Sequence, residues 1–281
     1  MVLKNRVYIA RNKNVGVAVI ALMDTLKGEI EKKVRSFSSV LIKANLCGGV
    51  PGEPGSHTST AVLRVVANFF ASYSVPLYIG EADCSFNDAH TVFKSLGIYQ
   101  LGKETGAHVI NLSSGPSVAV EVPRPHLIKT LRISALLKDS LIVSVPVLKT
   151  HPWSGITINL KNMYGAVYQK EKAVYHSGLE HNIVDINKVI MPHLCIVDAS
   201  TAVVQGGFKY GLWVGAPPTE LNLIIAGVNP VVVDAIGTKI LGKNPLDIGH
   251  IAIADRQGLG TCDLQKIEVI DAGCASNTWP I

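Results

Sequence analysis

Lys149, His151, Lys161 and Asn162 fall within one short stretch, Ser144 to Gly165, reading SVPVLKTHPWSGITINLKNMYG. The apolar run Leu141-Ile142-Val143 ahead of it reads as a buried strand. Strand ends in α/β folds are where ligands bind. Two ammonium groups, an imidazole and an amide at such a place describe a pocket for an anion. A second group lies earlier, with Lys43 and Asn45 ending the run Val40-Leu41-Ile42 and a Gly-rich loop reaching His57, Thr58, Ser59 and Thr60. Strand, Gly-rich loop and helix start form the usual geometry for gripping phosphate or carboxylate. The nucleotide-specific versions, GxxxxGK(S/T) and GxGxxG, are both absent from the sequence.

Carboxylates complete the chemistry. Glu81 and Asp83 follow the strand ending at Gly80. In extended chain they face one side, as an acid/base pair or as ligands for a hard divalent metal. The competing reading is turn chemistry, which suits Asp88 as a helix cap better than it suits Glu81. Asp198 ends another apolar run and precedes Gln205-Gly206-Gly207, a loop where glycine permits close backbone approach. Asp234 lies within a helix and either points into the site or favours the N-terminus of that helix. His176, His181 and His193 lack the i, i+4 spacing of a helical zinc pair, and single histidines are more often structural. No GxSxG elbow or Ser-His-Asp arrangement stands out. Cys47, near Lys43 and His57, has cationic neighbours that would lower a thiol pKa, but an inert thiol is the better reading.

These groups need a scaffold, and the composition supplies one. Hydrophobic residues make up 48% of 281 and charged residues 17%, with aromatics at 6%. An interior of Val, Ile, Leu and Ala suits buried parallel strands. The net charge of +5 is scattered, without a basic stripe interleaved with aromatics, which argues against nucleic-acid binding. No segment approaches the roughly 18 apolar residues of a membrane span. The N-terminal stretch lacks the apolar core of a signal peptide, so the expectation is a soluble cytoplasmic protein. Five cysteines, an odd count without CxxC, predict no disulfide framework and no self-contained iron–sulfur motif.

Residues 40–112 alternate strand, helix, strand, helix, strand, which implies parallel strands with right-handed crossovers. Ser59 or Thr60 caps the first of those helices. Residues 113–135 break the pattern with short apolar runs flanking Pro123-Arg124-Pro125, predicting a β-ribbon or arm. Further strands are expected at Leu141–Val147, Leu194–Val197, Leu221–Ala226 and Ile267–Ile270. Asn229-Pro230 starts a helix with the cap first and proline at the first helical position. The expectation is an α/β fold with a mostly parallel open sheet flanked by helices and a short β-ribbon or arm insertion. It is read as one domain over residues 1–281, with the arm at 113–135 and a subdomain insertion at 151–193 left open.

The motifs resemble the family catalogued as domain of unknown function 362, over about Val40 to Ile270. The family's Lys-Pro-Asn element, small-Thr-Thr helix start and Gly-Glu pair are matched by Lys43-Ala44-Asn45, Thr58-Ser59-Thr60 and Gly80-Glu81. Its Pro-x-Leu-Lys-Thr-His block, then Leu-Lys-Asn and Gly, is matched by Pro146 to His151, Leu160-Lys161-Asn162 and Gly165. Lys172 and His176, Val197-Asp198, and Pro230 to Ala235 follow in the family's order. Here Ala44 replaces the usual proline and Gly206-Gly207 a common Gly-Pro. Many family members carry ferredoxin-like iron–sulfur modules. The resemblance therefore implies a redox setting, although this chain shows no such module.

The resulting expectation is a strand-end cleft for an anionic small molecule, carboxylate or phosphate. Lys43, Asn45, Thr58, Ser59, Thr60, Lys149, Lys161, Asn162, His176, Gly206 and Gly207 bind it. His151, Glu81 and Asp198 do proton-transfer or redox chemistry, and a divalent metal is left open as cofactor. The alternative is a non-catalytic binding or electron-transfer accessory to a separate iron–sulfur protein partner. The sequence leaves a homo-oligomer open.

Overall fold

A computed structural model describes residues 3–46, 53–85, 87–204, 206–209, 212–215 and 218–273. Cys47 lies outside the described residues. The chain opens with β1 (Arg6–Arg11) and α1 (Val15–Val34). The alternating region follows: β2 (Ser39–Ala44), α2 (Thr60–Ala71), β3 (Leu77–Glu81), α3 (Ala89–Ser95), α4 (Ile98–Thr105) and β4 (His108–Asn111). β5 (Ser117–Glu121) and β6 (Thr130–Ser134) form the expected antiparallel ribbon. Next come α5 (Leu136–Asp139), β7 (Ser140–Val145), β8 (Val147–His151), β9 (Gly155–Thr157), α6 (Asn159–Tyr164) and α7 (Leu179–Ile190). The last part holds β10 (Leu194–Val203), β11 (Gly206–Lys209), β12 (Leu212–Gly215), β13 (Thr219–Gly227), α8 (Pro230–Ile240), α9 (Gly249–Arg256) and β14 (Glu268–Asp271).

The main sheet runs β14-β1-β13-β10-β7-β2-β3-β4 and is mostly parallel, with β8 and β9 attached through β10. Both faces are covered. Alternation at period two sends Val40 and Ile42 of β2 to the side of α1, α2 and α4, and Leu41 to the side of α6 to α9. Strands β7, β10 and β13 divide in the same way, with Ile142, Val197 and Ile225 on the second face and Val143, Ile196 and Ile224 on the first. Burial on two sides explains why these strands are continuous apolar runs.

The helix caps follow the sequence. Ser59 accepts from the Val62 amide at α2, Asp88 from Thr91 at α3, and Asn229 from Val231 at α8. Two expectations change, and one strand takes a direction that the sequence left open. Leu141–Val147 is two strands, because Pro146 carries no amide hydrogen for the ladder and the chain breaks there. Lys149 and His151 therefore lie within a strand rather than after one. Next, β13 runs antiparallel to both β1 and β10, so the C-terminal half is not simply wound. Finally, Cys84 is disulfide-bonded, whereas Cys195 and Cys262 are free and buried. The expectation of no disulfide fails at that residue.

The ribbon is held by one carboxylate. Asp185 of α7 accepts the amides of His126, Leu127 and Ile128, and pairs with Lys188 at 2.9 Å. Burial raises its carboxyl, but the Leu127 amide, the Lys188 ammonium and the other amides outweigh that and hold it low. Asp185→Ala would leave these donors unmet. The expected cost is about 3–5 kcal/mol in urea unfolding. A loss below about 1 kcal/mol would remove this clamp from the account.

Candidate functional site

The site grows from two adjacent strand ends. Lys43 of β2 pairs in register with Gly80 of β3, which places Glu81 one residue on. Lys43 Nζ lies 2.6 Å from Glu81 Oε1, with side chains 0% and 1% exposed. Glu81 also accepts the Leu46 amide at 2.9 Å and the Ala82 amide at 3.0 Å. Lys43 donates to its neighbour's carbonyl, Ala44 O, at 2.6 Å. Burial lowers the Lys43 pKa, against the pull of Glu81. Gly165 closes this pair from above. A Cβ there would sit 3.2 Å from Glu81 Oε1 and 3.3 Å from Lys43 Nζ.

Helix α6 brings the next residues. Asn162 donates to Lys43 O at 3.0 Å and to Ser144 Oγ at 3.1 Å, tying the helix to β2 and β7. Asp234 anchors its other end, accepting from the amides of Asn159 and Leu160 and from Asn159 Nδ2. It therefore caps a helix remote in sequence, which resolves both readings left open for it. Burial pushes its carboxyl up to about 7 despite the Leu160 and Asn159 donors. Lys161, one residue before Asn162, places its ammonium 3.8 Å from the centroid of the Tyr164 ring. Burial, with Lys149, Lys172 and Lys43 nearby, lowers it to about 7.

Two more lysines converge. Lys149 of β8 donates to Ser56 O at 2.7 Å and is lowered by burial to about 8. Lys172, in a short turn after α6, donates to Asp83 O and is lowered by burial to about 8. Tyr164 holds that turn by donating to Lys172 O. The Asp83 carboxylate is turned elsewhere, accepting from the Ala89 amide and Asn111 Nδ2.

His151 adjoins this cluster. Its Nδ1 accepts from the amides of Trp153 and Ser154 at 3.2 Å each, so its hydrogen resides on Nε2. Burial, with Lys161 and Lys149 nearby, lowers its pKa to about 3, and the ring is neutral at neutral pH. Trp153 lies between the rings of His151 and His176, and His176 stacks on Tyr164. His176 is exposed at the rim.

A neighbouring cleft of about 290 Å³ is lined by His57, Ser59, Thr60, Val147, Asp198 and Ser200, among others. Asp198 accepts the Ser59 amide at 2.9 Å and the Ser200 hydroxyl at 2.6 Å. Thr58 is a strut rather than a lining group, donating to Val145 O and accepting the Asn45 amide. Gly206 and Gly207 belong to β11, opposite Gly215 and Val214. The other histidines disperse, with His193 accepting the Ile142 amide and His181 packed on His126. Among the described residues no group of three or more His, Cys, Asp or Glu is placed to hold a metal.

Lys43, Glu81, Asn162, Lys149 and Lys161 are thus gathered together, with His151 beside them. Ser59, Thr60 and Asp198 line the adjacent cleft. Lys172, which entered only through the family resemblance, is a full member of the cluster. His250 was missed entirely. It is fully buried near Lys161, and its only trace in the sequence is one polar residue within an apolar helix, IGHIAIA.

The lysines carry a stability signature. Their folded pKa values of about 7 to 8 lie below the unfolded value near 10.4. Between those limits the folded state binds fewer protons, so stability rises with pH. The ligand-free protein should gain thermal stability from pH 7 to 9.5. Lys161→Met should flatten that slope and raise stability at pH 7 by about 1 kcal/mol. Melts showing the same slope in both proteins would exclude this charge strain.

Among the described residues no helix is long and apolar enough to cross a membrane. A thylakoid-associated protein of Synechocystis sp. is 27% identical over 236 residues, covering 80% of this chain and 70% of its own. No solved structure matches. The profile described as Domain of unknown function (DUF362) matches residues 40–239, a span running from β2 through Lys43, Glu81, Lys149, Lys161 and Lys172 to Asp234 on α8. The chain that builds this lysine cluster belongs to the DUF362 family.

Proposed function

We propose that the protein binds a compact anionic small molecule, a carboxylate or phosphate compound, among Lys149, Lys161 and Lys172, and transfers a proton on it. One observation carries the reading. Four lysines, Lys43, Lys149, Lys161 and Lys172, crowd together while, among the described residues, a single carboxylate, Glu81, pairs directly with one of them. Buried charge without a partner is costly, and a fold that keeps it has a use for it. A bound anion supplies the missing countercharge.

The roles divide by environment. Glu81 is fully engaged by Lys43 and two amides, so it positions Lys43 rather than reacting. His151 presents Nε2–H as a hydrogen-bond donor to negative charge developing on the ligand. Lys161, with a pKa of about 7, is poised to give or take a proton near neutrality. The neighbouring cleft, with Ser59, Thr60 and Asp198, holds the remainder of the ligand.

Isothermal titration with pyrophosphate and with citrate tests the reading. The protein should bind at least one with a Kd below about 1 mM, or about −4 kcal/mol. Lys149→Met and Lys161→Met should each weaken binding tenfold or more. Affinity should fall as pH rises from 6.5 to 9, because Lys161 and then Lys149 and Lys172 lose their charge. Failure of both anions to bind, or equal binding by both variants, would overturn it.

A further inference from the structure

We propose that the cleft beside the lysine cluster receives a hydroxyl group of the ligand, and that His57 Nε2 accepts its hydrogen. The inference rests on the anion-binding reading above and narrows its substrate class to a hydroxylated anion, a hydroxycarboxylate or the phosphate of a short polyol.

The tautomer of His57 follows from its own loop. His57 Nδ1 lies 2.7 Å from Ser56 Oγ, and Ser56 Oγ lies 2.8 Å from Glu53 O. A serine hydroxyl carries one hydrogen, and a carbonyl oxygen can only accept. The Ser56 hydrogen therefore goes to Glu53 O, and the remaining contact needs a hydrogen on His57 Nδ1. Burial, with Lys149 nearby, lowers the His57 pKa against the pull of Asp198, so the ring is neutral at neutral pH. A neutral ring protonated at Nδ1 keeps a lone pair on Nε2. The loop is braced from behind, where Lys149 donates to the carbonyl of the fully buried Ser56 at 2.7 Å. Nε2 has no hydrogen-bond partner among the described residues, and it is not enclosed by them. It is an acceptor fixed in place and open to a ligand.

The cleft itself selects what that ligand brings. His57 lines a space of about 290 Å³, at the small end of ligand pockets. Asp198 and Glu53 also line it, so a second anionic group would meet carboxylates and a lone pair. An ammonium group is disfavoured as well. Lys149 already places a cation on the loop that carries His57, and the Asp198 oxygens are taken by the Ser59 amide and by the amide and hydroxyl of Ser200. A hydroxyl meets neither obstacle. It gives its hydrogen to Nε2 and can accept one from the hydroxyl of Thr60 or Thr201 in the same lining. The anionic end of such a ligand stays with the lysines. Val147 on the cleft wall and Lys149 lie two apart on β8, so their side chains share one face of that strand.

The test compares ligands that differ only in hydroxyl groups: glycerol 3-phosphate against propyl phosphate, and citrate against tricarballylate. Titration calorimetry should show the hydroxylated member of at least one pair binding at least threefold more tightly, within the roughly two- to tenfold worth of one hydrogen bond. His57→Asn keeps a donor near the Ser56 hydroxyl and removes Nε2. It should weaken the hydroxylated ligand at least threefold, yet leave the deoxy ligand and pyrophosphate within about twofold of wild type. Equal affinities within both pairs overturn the inference, as does a variant that weakens deoxy and hydroxylated ligands alike. If His57→Asn does not fold, ¹⁵N imidazole spectra of the wild type decide. His57 should be protonated at Nδ1 and not at Nε2, and Nε2 should shift as the hydroxylated ligand saturates. The opposite tautomer, or an Nε2 that stays unmoved, overturns the inference. Pyrophosphate that binds while neither pair shows a preference removes this inference alone. Wild-type protein that binds none of these anions removes the anion-binding reading and this inference with it.

Discussion

The ion pair between Lys43 and Glu81 is the constraint around which the site is organised. Both groups are withdrawn from water at the centre of a sheet edge. Desolvation of two charges is offset only where geometry is close and the remaining polar valences are met. Here Glu81 takes two backbone amides at the ends of β2 and β3, fixing the path of both loops as they leave the sheet. Lys43 is held through its own carbonyl by Asn162, so helix α6 cannot shift without exposing the pair. Gly165 relates to the same pair, because a Cβ there would press on the carboxylate at 3.2 Å and the ammonium at 3.3 Å, as well as on Asn162 O at 3.1 Å. Strand ends, helix and glycine thus answer to one interaction.

With Glu81 engaged in this way, the other lysines of the cluster have no ion pair as close among the described residues. Lys149 and Lys172 are satisfied by carbonyl oxygens of Ser56 and Asp83, and Lys161 by the face of Tyr164. A carbonyl or a ring meets an ammonium's geometry without cancelling its charge. Burial depresses the pKa values of all three, and neighbouring lysines add to the depression at Lys161 and Lys172. Apolar residues at these positions would give a more stable protein.

Much of this was legible in the sequence, for identifiable reasons. Continuous apolar runs at Val40-Leu41-Ile42 and Leu141-Ile142-Val143 announced strands buried on both faces, and the polar residues ending them announced the site edge. The caps Ser59 and Asn229 were readable because capping is local. Long-range pairing was not. Nothing near Glu81 shows that Lys43 consumes its charge, and nothing near Asp234 shows that it caps a helix 75 residues away. The direction of β13 depends on which strands flank it, which an apolar run does not encode. The disulfide at Cys84 was equally hidden, since an odd count without close spacing carries no pairing. His250 stayed out of view because its want of a ring partner among the described residues is a property of packing alone.

A division of labour separates the two signs of charge. Asp185, Asp198 and Asp234 each bind backbone amides of segments remote in sequence, at 126–128, Ser59 and 159–160. A carboxylate suits this task, since it has only acceptors and can gather several amides at once. The lysines meet the complementary need, donating to carbonyls at the loops that leave β2, β3 and α2's N-terminal approach. Among the described residues the carboxyl groups thus clamp backbone amides, while Lys43 pairs with Glu81 and Lys149, Lys161 and Lys172 rest on carbonyls or a ring. An array of donors held rigid before a ligand arrives needs little reorganisation to receive an anion, which is the condition for strong electrostatic stabilisation of developing negative charge.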